Sequence, residues 1–244
     1  KIKLIMKVDI LAFGAHPDDV ELGCGGTISK AIHAGKTVGI IDLSRGELGT
    51  RGTAEIRAIE ASNAAEILGV KIRENLNFPD GFIFNNKENQ LKIIEKIRQY
   101  QPEIVLCNAT SDRHIDHGKS NTLVREACFL SGLQKIITNG AGDKNQNSWR
   151  PKVIYSYIQW NSISPDFVVD ISGFIDLKMK AVAAYESQFY NSDSQAPETP
   201  ISTQNFIDSV RYRAADLGRL TNTDFAEGFT SERLISVNDI FDLK

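Results

Sequence analysis

The stretch Val8-Asp9-Ile10-Leu11-Ala12-Phe13-Gly14-Ala15-His16-Pro17-Asp18-Asp19 decides the fold. A short apolar run of this kind is the pattern of a strand covered on both faces. A histidine and two carboxylates directly beyond it are poor material for a core and good material for a metal. The same arrangement recurs where Asp112-Arg113-His114-Ile115-Asp116-His117 follows the run Ile104-Val105-Leu106-Cys107. Three of the chain's four histidines lie in these two places.

Working outward, strand-like runs at residues 9–13, 37–43, 72–76 and 104–107 alternate with helix-like segments near 25–34, 54–68, 91–100 and 118–130. The helix at 54–68 shows Ile56, Ile59, Ala64, Ile67 and Leu68 at helical spacing and stops at Gly69. The next carries Leu91, Ile94 and Ile97 and ends before Pro102. This alternation predicts the α/β class, with a Rossmann-like parallel sheet and helices on both faces. Ligands of such sheets bind outside the carboxyl ends of the strands, near a topological switch point. Both histidine clusters fall there.

The second half is less regular. Residues 139–151 read as a surface loop, 153–158 and 167–171 as strands, and 191–200 as a polar loop. Ser172 is read as the cap of a helix carrying Ile175, Met179, Val182 and Tyr185, and another helix surrounds Phe206, Ile207, Val210 and Leu217. With no repeat and no linker, residues 1–244 are expected to form one domain with an elaborated C-terminal portion.

Composition narrows the class. The chain has 244 residues, 41% of them hydrophobic and 24% charged, enough to bury a sizeable core. A formal net charge of −3, without a Lys/Arg-rich run, argues against nucleic acid or an anionic membrane as partner. Cys24, Cys107 and Cys128 are far apart and read as reduced thiols of a cytoplasmic protein. The opening residues 1–7 hold too short an apolar segment for a signal peptide, and no run suits a membrane span.

The two clusters can be assembled into a reaction centre. His16 and Asp19, on a turn after a strand, can converge on one cation, with His117 as a third ligand from a neighbouring loop. Two imidazoles and one carboxylate leave a coordination position open for water, the mark of a catalytic rather than a structural site. That donor set suits Zn²⁺, with Fe²⁺ as the alternative. Asp18 is placed to act as general base. His114 can donate to a developing oxyanion or protonate a departing amine, with Asp116 orienting it and favouring its protonated form. Arg57 either faces the clusters or is a salt-bridged surface residue. Arg113 either clamps a substrate carboxylate or does nothing beyond its own surface contacts. Gly23-Cys24-Gly25-Gly26 matches neither phosphate-loop pattern and is read as close backbone packing, with Cys24 an inert small residue. A nucleotide-binding regulatory module at the same sheet edge is the reading from another class. A metallophosphatase lacks the further cluster that a second metal would need.

These residues resemble the signature of the PIG-L/LmbE-like family of zinc-dependent N-acetylglucosaminyl deacetylases. The family carries A-H-P-D-D-E after the first strand and H-P-D-H after a later one. Here Val20 stands for the glutamate and Ile115 for the second proline. Leu43-Ser44-Arg45-Gly46-Glu47-Leu48-Gly49-Thr50-Arg51-Gly52-Thr53, Tyr185-Glu186-Ser187-Gln188-Phe189 and Ala226-Glu227-Gly228-Phe229 are similar to the bacillithiol-biosynthesis branch. The resemblance implies hydrolysis of N-acetylglucosaminyl-malate, with deacetylation of other N-acetylglucosamine conjugates or cleavage of bacillithiol S-conjugates as alternatives. It implies His16, Asp19 and His117 as metal ligands, Asp18 as base, His114 and Asp116 as a relay pair, and Arg57 as an active-site arginine. The implied partner is a small amino-sugar conjugate, and members are often homo-oligomers. Some relatives carry a tyrosine as oxyanion donor where this chain has Asp112.

Overall fold

The computed structural model describes residues 7–140 and 145–242. Its frame is a seven-stranded sheet in the order β3-β2-β1-β4-β5-β7-β6. The strands are β1 (Ile10–Gly14), β2 (Val38–Ser44), β3 (Ile72–Phe78), β4 (Ile104–Cys107), β5 (Val153–Tyr157), β6 (Phe167–Asp170) and β7 (Ala226–Ser231). From β3 to β5 every neighbouring pair is parallel. The elaborated C-terminal portion then closes the sheet with β7, antiparallel to both β5 and β6. The sheet is therefore mixed, its parallel part the one read from the sequence.

The helices are α1 (Asp19–His33), α2 (Ala54–Leu68), α3 (Lys87–Tyr100), α4 (Ile115–Ser131), α5 (Ile175–Ala183) and α6 (Gln204–Arg219). Side chains alternate across a strand, so β1 feeds two cores. Ile10 and Ala12 join Ile28, Ala64, Leu68 and Val182 on one face. Leu11 and Phe13 join Ile93, Ile97, Leu123 and Val124 on the other. Thr53 caps α2 by accepting the Ile56 N–H, and Gly69 ends it in the left-handed conformation at φ 81°.

Two expectations change. Ser172 caps no helix: its Oγ donates to Asp170 and accepts the Asp224 and Phe225 N–H groups, and α5 begins behind Phe174 with Tyr185 beyond its end. The first helix starts at Asp19 rather than near 25, and is broken at Cys24, where φ is −146° and ψ 20°. The glycines around that break are occupied by neighbours. A Cβ on Gly23 would lie 2.1 Å from the Tyr157 ring, and one on Gly26 would lie 2.7 Å from Ile171. Close packing thus fills the space a phosphate would need. The 1–7 reading lies almost wholly outside the described residues, as does part of the loop at 139–151. No described helix is long and apolar enough to cross a membrane.

Candidate active site

Strand order reverses between β1 and β4, which opens a crevice at their carboxyl ends. The turn after β1 delivers His16 and Asp18 and the start of α1 delivers Asp19, while the loop after β4 delivers Asp112 to His114 and the first turn of α4 delivers Asp116 and His117. Asn108, directly past β4, joins the two. Its Oδ1 accepts the Ala15 N–H at 2.9 Å, and its Nδ2 donates to Asp19 Oδ2 at 3.0 Å.

Asp19 is the centre of the cluster and is almost completely buried. Its Oδ2 accepts the His16 N–H at 3.0 Å and lies 3.6 Å from His16 Nδ1. Its Oδ1 lies 3.1 Å from His117 Nε2 and accepts Gln159 Nε2 at 2.7 Å. Each imidazole has its other nitrogen on a further carboxylate. His117 Nδ1 donates to Asp112 Oδ2 at 2.8 Å. His16 Nε2 donates to Asp80 Oδ1 at 3.0 Å, with Asp116 Oδ2 at 3.5 Å.

Those contacts fix the ring tautomers and leave His16 Nδ1 and His117 Nε2 turned toward Asp19. Two acceptor lone pairs facing a carboxylate repel it unless positive charge lies between them. Burial opposes charging His16, but Asp116, Asp19 and Asp80 raise its pKa well above the usual histidine value. Burial likewise opposes charging His117, yet the Asp19 charge and the Asp112 bond bring it to about 9. Burial would raise Asp19, but its imidazole partners hold it well below the usual carboxylate range. The cluster is built for positive charge, which protons supply here and which a divalent cation held by His16, Asp19 and His117 would also supply.

His114 also brings a ring nitrogen within 4.8 Å of those of His16 and His117. Its Nδ1, however, accepts the Asp116 N–H at 3.2 Å and so caps α4. In the neutral ring the proton then sits on Nε2, which makes His114 a donor rather than a ligand. Burial, then the His16 and His117 charges, lower its pKa to about 4. This corrects the expected orientation of His114 by the Asp116 side chain. The Asp116 carboxylate accepts the Gly81 N–H at 2.7 Å and stands beside His16, so the ring it supports is His16.

Asp18 precedes α1 with φ 110° and ψ −25°, a costly backbone for a residue with a Cβ. Arg57 clamps that turn. It donates through Nε and Nη2 to the Pro17 carbonyl at 3.2 and 3.0 Å, and through Nη2 to Asp18 Oδ2 at 2.5 Å. Arg57 is therefore buried and faces the site. Gly46 is needed beside it: φ is 66°, and a Cβ there would meet Arg57 Nη1 at 2.3 Å. Desolvation raises the Asp18 pKa to about 6 against the pull of the Arg57 charge. Arg113 lies over the Trp160 ring at 4.7 Å. All the expected site residues except Asp116 line one cavity of about 410 Å³.

Four residues of this arrangement were not read as site residues from the sequence: Asp80, Asn108, Asp112 and Gln159. Their signal was position, since each follows the carboxyl end of a parallel strand. The turn Pro79-Asp80-Gly81 after β3 and Gln159 after β5 carry no histidine to mark them.

The family model for GlcNAc-PI de-N-acetylase (PIG-L) matches residues 11–128. Diacetylchitobiose deacetylase of Thermococcus kodakarensis is 32% identical over 194 residues, covering 74% of this chain and 70% of that protein. The chain belongs to the PIG-L family of deacetylases, as its paired motifs imply. The conserved protein TT1542 from Thermus thermophilus superposes with a TM-score of 0.84 at 35% identity, covering 95% of this chain and 98% of that one. N,N'-diacetylchitobiose deacetylase from Pyrococcus horikoshii, solved with an inhibitor, gives 0.77 at 25% identity over 96% and 88% of the two chains.

Proposed function

We propose that this chain is a divalent-metal-dependent hydrolase that removes the N-acetyl group from an N-acetylglucosaminyl conjugate, with N-acetylglucosaminyl-malate as its substrate. The observation that carries the reading is Asp19 flanked by His16 Nδ1 and His117 Nε2, each imidazole backed by a second carboxylate. His16, Asp19 and His117 would hold the metal, Zn²⁺ or Fe²⁺. A bound divalent ion supplies Lewis acidity and lowers the pKa of water to about 7.

The chain's own groups supply the rest. Asp18, with its pKa near 6, takes the proton of the attacking water and remains hydrogen-bonded to Arg57. Neutral His114 donates from Nε2 to the acetyl oxygen as negative charge develops there. The amide C–N bond then breaks, and the proton held by Asp18 passes to nitrogen, so acetate and a free amine leave. With its pKa near 4, His114 suits the oxyanion role rather than that of proton donor. Two relatives are named for diacetylchitobiose, which supports an amino-sugar substrate. Arg113, held over Trp160 in the cavity wall, supports a carboxylate on its far part.

The test is Asp18→Asn, with acetate release from N-acetylglucosaminyl-malate measured beside bound metal. Activity is expected to fall about 10²- to 10⁴-fold while metal content is kept. Full activity in that variant refutes the mechanism. Equal kcat/KM for free N-acetylglucosamine and the malate conjugate refutes the substrate.

A further inference from the structure

Of the two buried arginines in the cavity wall, Arg51 and Arg57, only Arg57 has a carboxylate partner among the described residues. Arg51, in the loop between β2 and α2, lines the same cavity as the site and is only 6% exposed. Its Nη2 donates to Ser194 Oγ at 2.6 Å, whereas its Nε is enclosed without an acceptor. Among the described residues no carboxylate oxygen lies within 4.0 Å of its guanidinium. Arg113 and Arg213 also lack a carboxylate partner among the described residues, but both are more exposed to solvent than Arg51. Arg57 is paired with Asp18, Arg113 lies over Trp160, and Arg213 donates to the Trp160 carbonyl. Thr199, another lining residue, likewise has an enclosed Oγ1 with no partner.

A buried guanidinium is strongly unfavourable unless paired, and its planar fork matches a carboxylate or a phosphate. The acetyl group and the sugar ring of an N-acetylglucosaminyl substrate carry no charge, so neither of them can supply the pairing. We infer that Arg51, helped by Thr199, anchors an anionic group on the part of the substrate beyond the sugar ring, and so sets the preference for acidic conjugates. This rests on the deacetylase reading above. It adds a second cationic anchor, on a different loop from Arg113.

The experiment uses the full metal-loaded chain and three substrates: neutral methyl N-acetyl-α-D-glucosaminide, N-acetylglucosaminyl-malate and N-acetylglucosamine 1-phosphate. Arg51→Gln is expected to raise KM for one anionic substrate about 10- to 100-fold, with kcat and the neutral substrate's KM within about threefold. Which anionic substrate responds identifies carboxylate or phosphate. Arg51→Lys should restore part of the affinity. Thr199→Val, nearly isosteric, should shift KM the same way and stands in if Arg51→Gln does not fold. Calorimetry with L-malate and with inorganic phosphate provides a readout independent of turnover, with binding to the wild type that Arg51→Gln loses. Equal KM changes for neutral and anionic substrates, or anion binding untouched by Arg51→Gln, overturn the inference while leaving the deacetylase reading intact. If no acetylated substrate is turned over, that reading fails, and calorimetry alone decides the anion site.

Discussion

The stability of the first helix, α1, should depend on one buried ion pair, and Glu227→Gln tests this. After the break at Cys24, the second segment of α1 presents free N–H groups inside the protein. Glu227, from β7, accepts Gly26 N–H on Oε1 at 3.0 Å and Thr27 N–H on Oε2 at 2.7 Å. Lys178 of α5 bonds Glu227 Oε1 at 2.6 Å and the Leu22 carbonyl at 2.8 Å, across the same break. Each of the two residues is only 3% exposed. Glutamine would aim an N–H₂ group at a donor and leave the Lys178 ammonium buried without a counter-charge. Breaking such a pair costs about 3–5 kcal/mol. At about 2–4 °C per kcal/mol for a chain of this size, Tm should fall by roughly 6–20 °C. Urea unfolding and scanning calorimetry at matched metal content would measure it. The double variant Glu227→Gln, Lys178→Met removes both charges and should recover much of the loss. A loss below about 1 kcal/mol, or a double variant less stable than Glu227→Gln alone, would refute the reasoning.

Two further outcomes follow from the geometry. Asp112→Asn should weaken metal binding about 10- to 100-fold in competition with a chromophoric chelator, since it removes the negative charge on the group that holds His117; unchanged affinity would show that this charge does not matter to the ring. Gly23→Ala should lower stability by about 1–3 kcal/mol or more because its Cβ meets the Tyr157 ring, whereas Gly173→Ala, with nothing within 4 Å of the added atom, should be nearly neutral. Denaturant melts of the pair would decide it.

Much of this fold was legible because its information is local. β1, β2 and β4 are short apolar runs, and α2 carries its own stop signal in Gly69. β7 was not legible. Its sequence, Ala226-Glu227-Gly228-Phe229-Thr230-Ser231, holds one large apolar residue, and it becomes a strand by pairing with β5 and β6. The early start of α1 was hidden for a related reason. Its glycines are weak helix formers, and the carboxylate that caps its second segment comes from the other end of the chain. At the site, both histidine clusters stood out by composition. Asp112 lies inside one of them, but nothing local to it marks it as the partner of His117. Asp80 acts through space on His16 and carries no local mark at all.

The placement of these groups divides the labour of the chain. β1 and β4 bring the groups read as metal ligands and base, because their carboxyl ends flank the switch point. The loops after β3, β4 and β5 bring Asp80, Asn108, Asp112 and Gln159, which orient those groups through hydrogen bonds. Leu48, from the loop after β2, in turn holds Asp80, donating its N–H to Oδ2 at 2.9 Å. α5 and β7 bring no side chain to the cluster. They brace the broken helix whose first residue is Asp19, so a change there acts on the site through backbone position rather than through chemistry. Substitutions at Lys178 or Glu227 should therefore appear first as lost stability, with turnover by the folded fraction little changed. Substitutions at Asp80 or Asp112 should appear first in metal affinity, with a stability loss smaller than that of breaking the Lys178–Glu227 pair.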